Sequence, residues 1–188
     1  CGDLGLPIPD RDRASHVIGL GLHDALAHVA PDLAVADYGR MVERYRHHFL
    51  ALDHALPLFP GTGGMLADLR AAGHTLAIAT GKSRTGLDRA LESAGLHGVF
   101  AATRCADQCT PKPAPDMLLE LMDVLDVPPA RTVMIGDTTH DLQMAANAGV
   151  PGVAVHYGAH PAEELAALRP LALLPTTAAL ASWLRLHA

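Results

Sequence analysis

The chain is short of the residues that mark several common functions. Its three cysteines, Cys1, Cys105 and Cys109, form no double pair of the zinc type, and no secretory signal precedes them, so a reducing cytoplasm is the expected compartment. Cys105 and Cys109 read as small buried or loop residues. Lysine is scarcer still, with Lys82 and Lys112 set against twelve arginines. A net charge of −6, an isoelectric point near 6.0 and scattered arginines leave no basic patch for nucleic acid. No apolar run approaches the roughly 20 residues of a membrane-spanning helix. Neither nucleic acid nor membrane is expected as a partner, and the sequence holds no repeat or low-complexity segment.

What the chain has is apolar residues, 49% of its 188 positions, enough for one ordinary domain with a small insert. Their pattern changes once. Residues 13–29 place Ile18, Leu22, Ala25, Leu26 and Val29 on one helical face, and residues 34–50 do the same with Val35, Tyr38, Met41, Val42, Tyr45 and Phe49. A small all-helical unit is expected over 1–56. The run from Leu56 to Gly64 then breaks the pattern with prolines and glycines, as a domain crossing would. Over 57–188, apolar strands expected near 75–80, 99–104, 131–136, 152–156 and 171–174 alternate with helices near 63–72, 84–94, 115–126, 139–148 and 161–168. Such alternation predicts an α/β fold with a Rossmann-like parallel sheet. Gly95 and Gly149 fall where C-terminal helix caps belong, and Pro115 falls in a first helical turn.

The chemistry-bearing residues gather at strand ends. The apolar run 132–135 stops at Gly136-Asp137-Thr138-Thr139-His140-Asp141, two carboxylates four residues apart, which can turn toward one hard cation. The bland alternative is a turn residue and a favourable charge in a helix's first turn. The run 75–80 stops at Thr80-Gly81-Lys82-Ser83, where amides and a hydroxyl can meet an anion. In Pro111-Lys112-Pro113-Ala114-Pro115-Asp116 a lysine is held between prolines, as a positioned point charge. A solvated surface is the alternative for both lysines. In an open α/β sheet, ligands sit outside the carboxyl ends of the strands. Thr80, Lys112, Asp137 and Asp141 are the parts needed there to hold a phosphoryl group and offset its charge.

These residues also carry a resemblance. Thr80-Gly81-Lys82, then Lys112-Pro113-Ala114-Pro115-Asp116, then Gly136 to Asp141 with Ala145 and Gly149 beyond, resemble in order and spacing motifs two, three and four of the haloacid dehalogenase-like (HAD) hydrolase superfamily. The opening Asp3-Leu4-Gly5-Leu6-Pro7 and the helices after it look like the helical cap of phosphoglycolate-phosphatase-like members, and Pro60-Gly61-Thr62 is similar to the turn where that cap returns to the core. The resemblance implies that Thr80 and Gly81 bind the transferring phosphoryl group and that Lys112 links it to a nucleophile. Asp137 would ligate Mg²⁺, and Asp141 would ligate it or orient a ligand. The implied activity is a Mg²⁺-dependent phosphatase acting on a small phosphorylated metabolite through an aspartyl-phosphate. Alternatives are a sugar-phosphate mutase and an inactive binding homologue. Retention of Lys112 with Asp137 and Asp141 speaks against the last, because buried charges are costly without an anion and a metal. A haloacid dehalogenase proper needs no metal and is disfavoured. Substrate identity and oligomeric state stay open.

The family's nucleophile begins an Asp-x-Asp-Gly motif, and none follows an apolar strand here. Asp10-Arg11-Asp12-Arg13 has the aspartate spacing but reads as a polar helix lead-in. In the family that motif's strand lies mid-sheet, between the strands ending at Thr80 and Asp137. Without it the two would face each other across roughly 4.8 Å of missing strand, with orphaned backbone groups costing on the order of 1–3 kcal/mol each. The expectation is therefore a preceding segment of roughly 20–30 residues that carries the catalytic aspartates. The many histidines, among them His16, His23, His28, His47, His48 and His54, match no zinc pattern such as His-Glu-x-x-His and read mostly as surface residues. His23 and Arg44 are candidates to face substrate, and His140 fills a variable position of its motif rather than ligating Mg²⁺, which prefers oxygen.

Overall fold

Short polar side chains and glycines set where the helices start and stop. In the computed structural model of the chain, which describes residues 1–53 and 57–188 with the side chains of 50–53 excepted, the Asp10 carboxylate accepts from the Arg13 amide at 2.8 Å and opens α1, Arg11–His16. Asp10-Arg11-Asp12-Arg13 is thus a helix lead-in. Helices α2 (Leu22–Val29) and α3 (Tyr38–Asp53) follow. The single helix expected over 13–29 is therefore two: α1 stops at His16, and Gly19, at φ 95°, holds the turn in a left-handed conformation before α2 begins at Leu22. These helices bury Leu26, Ala30, Leu33 and Met41 together. His54, Leu56 and the expected boundary at residue 56 lie outside the described residues.

From residue 57 the chain alternates. Gly61, at φ 84°, precedes α4 (Thr62–Ala71), and then come β1 (Ala77–Thr80), α5 (Arg84–Ser93), β2 (Ala102–Cys105), α6 (Asp116–Leu125), β3 (Met134–Gly136), α7 (Thr139–Asn147), β4 (Gly152–Val155), α8 (Ala162–Ala167), β5 (Leu173–Leu174) and α9 (Thr177–His187). Ser83, Thr138 and Thr176 cap α5, α7 and α9 with their hydroxyls. Gly95 and Gly149, at φ 66° and 68°, turn the chain just past α5 and α7. Helix α9 lies beyond the helices expected from the sequence. Its Leu180 and Leu184 are buried at helical spacing behind the Thr176 cap.

The strands are parallel, and the fold is α/β. β1 pairs with β2, Thr80 opposite Cys105, while β4 pairs with β3 on one side and β5 on the other. No ladder joins β1 to β3 among the described residues, so the sheet is in two pieces. Helices hold the pieces side by side. On one face Met117, Leu118 and Met122 of α6 and Met144 and Ala145 of α7 pack against both Ala79 of β1 and Met134 of β3. On the other, Leu180 and Leu184 of α9 join Met65 and Leu69 of α4 over Val153, Val155 and Ile135. Among the described residues no helix is long and apolar enough to cross a membrane.

Candidate active site

At the carboxyl end of β3 the chain turns at once into α7, and the turn fixes both carboxylates. Thr138 accepts from the Asp141 amide, and its own amide and hydroxyl donate back to Asp141 Oδ2 at 3.1 and 2.7 Å. This reciprocal cap satisfies two amides that a helix start leaves orphaned. Gly136 makes it possible, since a Cβ there would overlap the Asp141 side chain. Asp137, one residue past the strand, accepts at Oδ2 from the Ala159 amide at 2.9 Å, and Gly158 leaves room for that carboxylate in the same way.

Lys112 reaches the same place from the loop before α6. Its Nζ lies 2.6 Å from Asp141 Oδ1, and the two side chains are 6% and 5% exposed. The loop is anchored by Asn147, whose side-chain amide donates to the Pro113 carbonyl at 2.9 Å. Both Asp141 oxygens are thus engaged, Oδ1 by Lys112 and Oδ2 by Thr138, while Asp137 Oδ1 has no hydrogen-bond partner among the described residues. A buried pair of this kind repays its desolvation only with such saturated geometry.

Thr80 ends β1 half-buried, its Oγ1 accepting from the Lys82 amide at 3.1 Å. No hydrogen bond among the described residues joins it to Lys112, Asp137 or Asp141. Against this edge, across the loops that follow β1 and β3, packs the turn after α1. A Cβ on Gly81 would fall 2.5 Å from the carbonyl oxygens of Gly19 and Leu20, and one on Gly19 would fall 3.1 Å from the Thr138 hydroxyl. Gly21 sits against Ala106 and Pro111. The four sequence-predicted residues therefore ring one edge, with the N-terminal helices against it.

Known proteins resemble this chain in sequence and in fold. A sequence profile of the haloacid dehalogenase-like hydrolases matches residues 1–155. The chain belongs to that family. It is 36% identical over 180 residues to the "Probable phosphatase IndB" of Dickeya dadantii, covering 93% of this chain and 78% of that one. It is 31% identical over 160 residues to the phosphoglycolate phosphatase of Agrobacterium fabrum, covering 82% and 69%. Among solved structures, a hydrolase from Pseudomonas syringae superposes with a TM-score of 0.89 at 20% identity, over 100% of this chain and 87% of that one, which shows the fold. The chain spans about half, 53–55%, of the length of several other curated relatives that it matches.

Within this HAD-like chain three histidines collect beside the carboxylates. His140 and His160 are 7% and 3% exposed, whereas His16 is exposed. Burial pushes both buried rings below the ordinary imidazole range, and the nearby His140 and His16 push His160 further down. Sequence alone marks His140 as a position filler and gives His160 no role. Arg44 is tied to Asp3 at 2.6 Å, and exposed His23 stacks on Tyr38. Cys105 is wholly buried, and burial raises its thiol and that of Cys109, which suits neither for attack. Thr138 was the other miss, although its Thr-x-x-Asp spacing to Asp141 is a legible cap signal.

Proposed function

We propose that this protein is a Mg²⁺-dependent phosphatase of the cytoplasm that hydrolyses a small phosphorylated metabolite, a phosphoglycolate-like monoester, through an aspartyl-phosphate. The observation that carries the reading is the buried Lys112–Asp141 pair, at 2.6 Å, on the edge where Thr80 ends β1 and Asp137 follows β3. A lone buried pair buys a fold little, so its saturation by Thr138 is better explained by a charge that arrives there. The names of the phosphatase relatives agree.

Asp137 and Asp141 offer oxygen only, which fits Mg²⁺. Asp137 would hold it through its open Oδ1, and Asp141, with both oxygens engaged, would orient Lys112 and the turn. When bound, the cation offsets charge on the phosphoryl group. Thr80 already accepts from the Lys82 amide, so its hydroxyl proton is left to donate to a phosphoryl oxygen. The Lys112 ammonium draws the remaining oxygens and the attacking carboxylate together. That carboxylate would come from chain outside these 188 residues, seated between β1 and β3, whose facing edges carry no ladder. Its oxygen bonds to phosphorus, the bond to the alcohol oxygen breaks, and the alcohol takes a proton from a neighbouring acid. Water then splits the acyl phosphate. The N-terminal helices act as a cap that excludes bulk water.

A phosphate-ester screen of the full-length protein, with and without Mg²⁺, tests this. Release of phosphate should depend on Mg²⁺ and vanish in Asp137→Asn. Metal-independent turnover, or an unimpaired Asp137→Asn, sinks the mechanism.

A further inference from the structure

The histidine cluster brings together three separate elements: His16 at the end of α1, His140 in α7 and His160 in the loop after β4. Their ring centroids are 5.1–5.3 Å apart, and ligand-capable nitrogens of the three lie within 4.8 Å of one another. A transition metal would require unprotonated nitrogens aimed at a common point. The hydrogen bonds place protons there instead. The Thr139 amide donates to His160 Nδ1 at 3.0 Å, which leaves the His160 proton on Nε2. That Nε2 lies 3.2 Å from the main-chain carbonyl oxygen of His16, and His140 Nε2 lies 2.8 Å from the same atom. A carbonyl only accepts, so both imidazoles donate to it. One carbonyl of the N-terminal helices thus takes two N–H groups from nearly buried side chains of the α/β part.

We propose that His140 and His160 are positioning residues that latch the N-terminal helices over the catalytic edge by gripping the His16 carbonyl. The gripped residue leads directly into the Gly19–Gly21 turn, which the latch seats between Gly81 and Thr138. The same loop touches the metal-site aspartate: the Ala159 amide donates to Asp137 Oδ2, and the His160 amide donates to the Asp137 carbonyl at 3.1 Å. Latch and carboxylate therefore move as one hydrogen-bonded unit. With the grip intact the closed arrangement is populated before substrate arrives. Without it, only part of the population is competent, and apparent affinity falls by that fraction. The kinetic consequence rests on the phosphatase reading; the closure itself does not.

Amide hydrogen exchange on the full-length protein, without substrate, reads the closure directly. His160→Ala should raise exchange of the 17–22 amides about tenfold while α6 keeps its protection, and it should raise KM several-fold with kcat held within about twofold. His160→Gln should restore both, because its side-chain amide nitrogen stands about where Nε2 stood and can donate to the His16 carbonyl. Gly19→Ala, which leaves both histidines in place but crowds Thr138 at a φ of 95°, is a second route to the opened state. It should reproduce the exchange change. Wild-type exchange at 17–22 in His160→Ala overturns the latch, whatever the protein's turnover, and does so most plainly when Gly19→Ala raises it, since that rise shows the amides report the opening.

Discussion

Two ion pairs in this chain share a contact distance and little else. Arg44 and His48 meet one oxygen of Asp3 at 2.6 and 2.8 Å on a surface open to water. Lys112 and Asp141 also meet at 2.6 Å, with side chains 6% and 5% exposed. In the first, hydrogen bonds from His48 and then Arg44 hold the Asp3 carboxyl down at about 2, against an ordinary 3.8. Water can replace any partner lost there. In the second, burial keeps bulk water away, and each carboxylate oxygen has a named donor. Separation alone therefore says nothing about consequence; the alternative open to each group decides it.

That contrast can be broken most forcefully at Lys112. Lys112→Met leaves a buried carboxylate unpaired, which should cost about 3–5 kcal/mol in urea unfolding and abolish phosphatase turnover. Adding Asp141→Asn to it should recover most of the stability and none of the turnover, separating what the pair does for the fold from what it does for chemistry. Thr138→Val comes next. It removes a hydroxyl that both caps α7 and donates to Asp141, a loss of about 1–3 kcal/mol by the same measurement.

Acid should then separate the regions. His140 and His160 have folded values below 6.5, so the unfolded chain binds protons first as pH falls. Their contribution is complete above pH 6.5 and is lost below it, and a melting series from pH 8 to 5 should show the midpoint dropping. A flat series would mean that the rings are not buried as described. The Asp3 cluster acts lower still. Its contribution is present above about pH 4 and is lost toward pH 2, and Asp3→Asn at pH 7 should leave the melting midpoint unchanged within error.

The sequence carried the α/β alternation well, because parallel strands buried on both faces read as apolar runs and the helix stops at Gly95 and Gly149 carry their own signal. It could not show the break at Gly19. Apolar residues on either side keep a helical spacing, and periodicity is blind to one residue's φ. Helix α9 escaped for the opposite reason, since its Leu180 and Leu184 sit among small residues that blur the stripe. At the edge, Thr80, Lys112, Asp137 and Asp141 were legible as motif residues. His160 was not, because its partner is a backbone carbonyl 144 positions away, and a main-chain atom leaves no mark in residue identity.

Glycines 81, 136 and 158 each stand where another group already occupies the space of a side chain. For anyone diversifying this scaffold, the consequence is a rule about which positions can be sampled independently. Position 136 is bound to 141 and position 158 to 137, so randomising either glycine alone yields mostly dead clones whatever the selection. Position 81 is bound to the backbone at 19 and 20, which no compensating side chain can relieve. Variation is better spent at exposed Ile18, which borders the edge and is 51% open to solvent.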